Sequence, residues 1–510
     1  MNKVFFLLLF FLFGYFYSEA QYLYGLDPTF AANGIYMGDT GAVVKMAVQP
    51  DGKIVITEGE KKLSNGIATL AMRFNNNGSI DSSFSNDGRF FIPSSFGYID
   101  YRINALRLQS DGKIILGGLV NSISLTNDDF FLVRIKPNGE PDTSFGDRGH
   151  VITDIGTREQ ITSIAVQPDG KIVACGSSLQ SIIVVRYQSN GLLDSSFGVN
   201  GIVSSGWNDW GFTFPSANDI FVTTDGRIVV GADTDIDALN GAYAVTAIRL
   251  LPNGNLDTNY NHTGVAYTNS NLPGIIYCKS MCLQQDGKAV LGCYADSLAI
   301  VRFDSTGQLD IGFGQNGLVK LNPAGKVLDM LLQPDGKILL ATNPDAAPDP
   351  DSCYTIYRVL HDGSIDTSFG IKGKLLTKPN NTSTMLGGIS LQSDGKLLAL
   401  SGYIPVGMQF PGIMIARYNP DASTGISTVD LNNYINIYPN PATSYINIGP
   451  SPKGAIQHIF LYSLDGKLLL TQTHPYTDRL STEGLANGIY YLKLSLSNHQ
   501  QVTKKIIIQK

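Results

Sequence analysis

The sequence is short of charge, of tryptophan and histidine, and of paired cysteine, and each shortage removes a class of function. Only 16% of its 510 residues are charged, and 43 acidic against 37 basic residues leave a formal net charge of -6. No basic run supplies locally what the whole lacks, so nucleic acid is not an expected partner. Five cysteines, Cys175, Cys278, Cys282, Cys293 and Cys353, are an odd number without a repeated paired spacing, which excludes a disulfide framework. They read as small buried hydrophobes, with one cross-strand bridge left open between the Cys278–Cys282 segment and Cys293. No CxxC pair or nearby histidine supports zinc. Six scattered histidines, three of them in the C-terminal region, give no metal or proton-transfer constellation. GxSxG, HExxH, GxxxxGK[ST] and a strand-to-helix GxGxxG are all missing.

Long apolar runs are missing too, except at the start. Lys3 precedes an apolar stretch from Val4 to about Tyr17, followed by Ser18-Glu19-Ala20. That stretch falls short of the roughly 20 residues needed to span a bilayer. Small residues at the third and first positions before Gln21 suit signal peptidase, so residues 1–20 are expected to be a cleaved signal peptide, with no transmembrane anchor afterwards. No cysteine follows the cut, which disfavours a lipoprotein.

What is plentiful is glycine, 54 residues, within a 43% hydrophobic composition that suits a turn-rich, mostly β protein. The length exceeds what one growing core accommodates, so several domains or a repeat are expected. A turn segment recurs seven times: QPDGKI from Gln49, QSDGKI from Gln109, QPDGKI from Gln167, TTDGRI from Thr223, QQDGKA from Gln284, QPDGKI from Gln333 and QSDGKL from Gln392. Successive turn aspartates are 60, 58, 56, 61, 49 and 59 residues apart. Asp-Gly between apolar alternating runs is a hairpin turn. A second block follows each turn, as in RFNNNGSIDSSFSNDG from Arg73 and RIKPNGEPDTSFGDRG from Arg134, and six copies are complete. Each unit holds four short strands, which is a propeller blade.

The ends fix the count. The seventh block, RYNPDASTG from Arg417, loses its second half, and YGLDPTFAANG near the N-terminus supplies Leu26-Asp27, Phe30 and Gly34. A closed ring needs such complementary broken ends and an open solenoid does not. The expectation is an all-β chain: a seven-bladed β-propeller over residues 21–421, its last four-stranded blade closed by the N-terminal strand, then a linker over 422–435 and a small Ig-like β-sandwich over 436–510. The two blocks resemble the delta-60 repeat, a bacterial β-propeller family. The resemblance implies that the DG hairpin lies nearest the axis and that the strand after LDxSF is outermost. Departures are Asn259-Tyr260 for Ser-Phe, Ala289 after the fifth turn and Ser85 for glycine.

The repeated charges have an invariant spacing of eight: Arg73 and Asp81, Arg134 and Asp142, Arg186 and Asp194, Arg249 and Asp257, Arg302 and Asp310, Arg358 and Asp366. Arginine's fork fits a carboxylate, so each pair is expected to brace its blade, with Arg417 finding Asp27 across the closure. Residues present in every blade serve every blade, so function is sought where units differ. Trp207 and Trp210, the only tryptophans, stand together in GWNDWGF and are candidates for a ligand-stacking platform. Asp233, Asp235 and Asp237 alternate in GADTDID like the opening of a calcium loop, but Ala238 and Ala244 break that pattern. Calcium is the one cofactor left open, and no other cofactor or metal is expected. Asp345, Asp349 and Asp351 among prolines read as a stiff solvated loop.

From Asn436 the chain reads NIYPNPATSYINI, IFLYSLDGKLLL, LANGIYYLKL and VTKKIIIQK, alternating strands with turns at Asn440-Pro441, Asp465-Gly466 and Asn487-Gly488. YPNPA at Tyr438, Pro439, Asn440, Pro441 and Ala442, YSLDGK with Gly466, LANGIYYLKL with Gly488, and the basic Lys504-Lys505 closely resemble the type A sorting domain of the type IX secretion system. That resemblance implies export in two steps, through the inner membrane and then across the outer membrane, with the secretion machinery as partner. The cargo is then released or attached at the cell surface. The propeller itself is expected to be a non-enzymatic binding module for a glycan or protein. The alternative is an extracellular polysaccharide hydrolase or lyase, which needs carboxylates clustered at the axis.

Overall fold

The computed structural model describes residues 25–40, 43–58, 69–92, 100–121, 128–156, 158–178, 181–204, 213–237, 242–268, 275–295, 298–321, 325–344, 354–377, 382–405, 412–419, 436–449, 456–464, 466–473, 479–496 and 501–510. They fall into two units divided between Thr424 and Gly425. Every regular element among the described residues is a strand. No helix among them is long and apolar enough to cross a membrane.

The first unit holds seven four-stranded antiparallel sheets. In blade 1 the strands Val43–Val48, Ile54–Glu58, Thr69–Phe74 and Arg89–Phe91 pair in chain order. The DG turn joins the first two. Gly52 takes φ +83°, and Asp51 Oδ1 accepts the Lys53 N–H at 3.1 Å. The second and third strands carry continuous apolar runs, such as IILGGLV and FFLVRI in blade 2, because neighbouring blades cover both their faces.

The inner strands after Val43–Val48 are Asp100–Leu108, Gln160–Val166, Thr213–Val222, Ile275–Leu283, Gly325–Leu332 and Thr382–Leu391. Each touches the inner strand of the next blade, and the last touches the first, so the ring closes. Its seam is the one required by the broken repeat: Ile35–Thr40 forms the outer strand of blade 7, with Ile35 opposite Ala416 and Met37 opposite Met414. The Asp27 N–H donates to the Arg417 carbonyl at 2.8 Å, and the Arg417 N–H donates to that of Gly34 at 2.9 Å.

Apolar packing runs between blades. Phe84 of blade 1, fully buried, packs in one cluster with Ile103, Leu116 and Phe131 of blade 2. Burying one such ring stabilises by roughly 1.5–3 kcal/mol. A backbone bond repeats beside it: the Ser85 N–H donates to the Asn138 carbonyl at 2.9 Å and that of Gly146 to Asn190 at 2.8 Å. At the seam the Ala31 N–H donates to Asn77 at 2.8 Å. Ser85 adopts φ +52°, the left-handed backbone of Gly146 at φ +55°, which is how it replaces the repeat's glycine. Gly139 is required for a different reason. A Cβ there would lie 2.4 Å from the Ser85 nitrogen, and its φ is +91°.

The second unit has a three-stranded sheet of Asn436–Tyr438, Tyr445–Gly449 and Arg479–Ser481, and a four-stranded sheet ordered Leu468–Thr473, Ile456–Ser463, Gly488–Leu496, Gln501–Ile508. Ile446, Ile448 and Leu480 of the first meet Ile459, Leu461, Leu492 and Ile506 of the second in one core, which makes the unit a β-sandwich.

Candidate functional site

The repeated arginine ends a blade's third strand and reaches the aspartate of its own next turn. Nε-to-Oδ2 distances are 2.7 Å for Arg73–Asp81, 2.8 Å for Arg134–Asp142, Arg186–Asp194, Arg249–Asp257 and Arg358–Asp366, and 2.9 Å for Arg302–Asp310. At the seam Arg417 meets Asp27 at 2.9 Å through Nη2 instead. Each guanidinium also lies over the ring of its LDxSF aromatic, 4.1 to 4.7 Å from the centroid, from Phe84 in blade 1 to Phe30 at the seam. Tyr260 takes the same place in blade 4.

Two further partners were not legible in the spacing of eight. The arginine's Nη1 donates to a carbonyl of the next blade: Arg73 to Pro137 at 2.5 Å, Arg249 to Ser305 at 2.6 Å, Arg302 to His361 at 2.7 Å, and Arg417 to Asn76 at 2.5 Å. The basic residue of the DG turn also reaches the aspartate, as in Lys53–Asp81 at 3.1 Å, Arg227–Asp257 at 3.0 Å and Lys396–Asp27 at 3.1 Å. Its occurrence in all seven turns was the signal for that role. Thus one carboxylate gathers two cations, and one of those cations holds the neighbouring blade. Burial alone would raise the carboxyls of Asp27, Asp81 and Asp142. Hydrogen bonds from Thr29, Ser83 and Ser144 with the adjacent cations outweigh it and hold each at about 2.

The axis is where blades differ. Each inner strand has a register shift at or just before the residue six positions ahead of its turn aspartate. Such a bulge re-aims a side chain. That position holds Lys45, Ala105, Ser163, Asp219, Ser280, Asp329 and Gly388 in blades 1 to 7. All seven inner strands line an axial pocket of about 600 Å³ that includes Lys45, Arg107, Thr162, Ser163, Asp219 and Asp329.

Two non-repeated carboxylates therefore face one channel, and both are engaged. Asp219 accepts the Ser163 hydroxyl at 2.8 Å, its own strand's Ile220 N–H at 3.0 Å and the next blade's Met281 N–H at 3.1 Å, with Arg107 at 3.8 Å. Asp329 accepts Met330 N–H at 3.0 Å and, across the blade boundary, Ile389 N–H at 2.8 Å. Burial raises the Asp329 carboxyl above its ordinary range. Lys45 and the two amides oppose that rise and Asp219 adds to it.

Among the other candidates, Trp207, Trp210, Asp345, Asp349, Asp351 and Cys353 lie outside the described residues. Asp233, Asp235 and Asp237 sit on the strand Ile228–Asp237, paired on both edges, rather than in a loop that wraps a cation. Asp233 is buried and accepts a hydrogen bond from Asn218 Nδ2, and burial pushes its carboxyl up to about 6. Cys278 lies directly opposite Cys293, yet these two, with Cys175 and Cys282, are free and buried. Burial pushes the thiols of Cys175 and Cys282 up to about 12.

In the sandwich, the YPNP turn is exposed, with Tyr438 at 54%, and Ala442 beneath it is buried. Asn440 ties the turn to the last strand: its Nδ2 donates to Lys505 O at 3.1 Å and its Oδ1 accepts Ile507 N–H at 2.8 Å. Ala442 N–H donates to Ile507 O at 2.8 Å. Gly466, at φ +83°, closes the turn after Ile456–Ser463 by donating to Ser463 O at 2.9 Å. Gly488 starts the strand Gly488–Leu496, opposite Ile508.

No curated protein matches the sequence. Among solved structures, PorZ, a bacterial surface component of the type IX secretion system of Porphyromonas gingivalis, is similar over 92% of this chain at 13% identity and a TM-score of 0.38. The chain covers 60% of PorZ. Polysaccharide lyase Uly1 is similar over 77% of this chain and 92% of its own, at 11% identity and a TM-score of 0.44. The β-propeller domain of the Trilobed protease from Pyrococcus furiosus is similar over 76% of this chain and 98% of its own, at 10% identity and a TM-score of 0.41. Family profiles speak more directly. The secretion system C-terminal sorting domain matches residues 436–509. The domain of unknown function DUF5122 beta-propeller matches 49–84, 109–145, 167–197, 223–260 and 333–369, five of the seven turn-and-block segments. The chain thus carries a DUF5122 β-propeller domain and a secretion system C-terminal sorting domain, which directs it by the type IX route to the cell surface or the extracellular space.

Proposed function

We propose that the propeller is an extracellular binding module that takes a polar ligand, a glycan or a segment of protein, at the axial pocket. The observation that carries this reading is the inner-strand position six residues ahead of each turn aspartate. The clamps repeat around the ring, but that position varies from blade to blade, and its polar members Lys45, Ser163, Asp219 and Asp329 group with Arg107 around one cavity. Arg107 is 39% exposed on its side chain, which leaves a guanidinium to meet a hydroxyl or carboxylate of a ligand.

A second reading, cleavage of an extracellular polysaccharide, is favoured by the two non-repeated carboxylates on the axis. Against it, each carboxylate is held by backbone amides of two blades, so neither is poised to exchange a proton with substrate. The deciding experiment is a glycan, polysaccharide and peptide array on the mature chain with Lys45→Ala and Arg107→Ala as comparisons, run alongside an assay for polymer chain shortening. Binding weakened at least tenfold in both variants, without chain shortening, supports the module. Chain shortening abolished by Asp329→Asn replaces it with the enzyme. Binding indifferent to both basic residues removes the axial pocket as its site.

A further inference from the structure

A third group of carboxylates lies apart from the clamps and the axis. Asp129 is on the third strand of blade 2, Asp128–Ile135. Asp154 follows its outer strand, His150–Thr153. Glu159 stands directly before the inner strand of blade 3, Gln160–Val166. Phe130 pairs with Thr153, so the same register carries Asp129 and Asp154 side by side, where like charges repel. Glu159 is brought to them by its own N–H, which donates to the Asp128 carbonyl at 2.7 Å. One carboxylate oxygen from each of the three lies within 4.8 Å of those of the other two.

Glu159 is only 1% exposed, and its Oε2 is buried without a hydrogen-bond partner. Asp154 is exposed, and its Oδ1 accepts the Gly156 N–H at 3.2 Å. A buried acid with an unfilled oxygen, grouped this closely with two further acids, is costly unless a cation joins them.

We propose that Asp129, Asp154 and Glu159 bind a Ca²⁺ ion that ties blade 2 to blade 3. All three ligands are hard oxygens, with no nitrogen or sulfur among them, which suits calcium or magnesium. Magnesium demands near-ideal octahedral geometry and sheds its water reluctantly, so three carboxylates drawn from two blades favour the more adaptable coordination of calcium. Asp154 gives the ion a path from solvent, and water fills the positions the protein leaves. The site is particular to this blade: five residues before the clamp arginine the other six have alanine, serine, cysteine or glycine. It also differs from the Asp233 strand, where the sequence alone had left calcium open.

The test is calorimetric titration of the metal-stripped chain with CaCl₂ at pH 7.5. The expected result is one ion per chain, with affinity reduced at least tenfold in Glu159→Gln and in Asp154→Asn, and with MgCl₂ bound more weakly than CaCl₂. Asp154→Asn, at an exposed side chain, keeps the test valid if Glu159→Gln fails to fold, which circular dichroism reads independently. No calcium heat in the folded wild-type chain, or stoichiometric binding that both variants retain, overturns the proposal.

Discussion

Replacing Asp27 by alanine removes the carboxylate at the ring's seam. Asp27 is 3% exposed and holds Arg417 at 2.9 Å and Lys396 at 3.1 Å, while Thr29 donates its N–H at 3.0 Å and its hydroxyl at 2.7 Å. Two routes give its contribution. The fall of its carboxyl from 3.8 to about 2 corresponds to roughly 2.5 kcal/mol of preference for the charged form in the fold. Deleting one member of a buried pair costs about 3–5 kcal/mol, because the other charge, here Arg417, is left buried and unmatched. At about 2.1 cal/mol/K of unfolding entropy per residue, a ring of about 400 residues has about 0.8 kcal/mol/K, so Tm should fall by about 4–6 °C if the ring unfolds as one. The assay is a thermal melt of the chain, paired with hydrogen exchange. Asp194→Ala, the same clamp inside blade 3, is the comparison. Both variants should melt earlier, but only Asp27→Ala should speed exchange across Ile35–Thr40 and Gly412–Tyr418. An unchanged melt, or fast exchange spread evenly over all blades, refutes the clasp.

Acid should weaken the ring as a whole. Asp27, Asp81 and Asp142 have folded values near 2 against 3.8, so their stabilisation is complete above about pH 4 and is lost as pH falls towards 2. A Tm unchanged from pH 5 to pH 2 would contradict this. Arg186→Ala, which removes a pair at 2.8 Å and the bond to Pro252 O at 2.5 Å, should cost about 3–5 kcal/mol. Lys171→Met, at 3.5 Å and partly exposed, should cost under about 1 kcal/mol, and denaturant titration ranks the two. Gly139→Ala forces a Cβ against the Ser85 nitrogen at a left-handed φ, and the same titration should register a loss of about 1–3 kcal/mol. A thiol reagent should find Cys175, Cys278, Cys282 and Cys293 unreactive in the native chain and reactive in denaturant.

Much of the fold was written in the repeat. Seven turns, four runs per unit and two complementary fragments lead to seven blades and a seam, because a turn and a period of alternation are local properties that survive in one dimension. The pairing of Arg73 with Asp81 was readable for the same reason. The Arg73 bond to Pro137 was not, because its acceptor is a carbonyl, and carbonyls carry no letter in the sequence. The axial residues were hidden differently. A search for repeated letters passes over the position where Lys45, Ser163 and Asp219 correspond, and the register shifts that turn them to the axis belong to strand pairing. Asp129 and Glu159 are thirty residues apart in unrelated contexts, and only the fold of blade 2 against blade 3 makes them neighbours.

The seam also sets an order of events during manufacture. Ile35–Thr40 emerges first, and its partner Gly412–Tyr418 follows 372 residues after Thr40, so the earliest strand of the ring waits longest for a mate. Bringing such distant segments together is an entropically slow, late step. The segment that follows the seam is the sorting unit, which opens at Asn436. A chain truncated before Gly412 therefore lacks both the strand that seals the circle and the address that sends it out, so the chains that present the address are those already able to close.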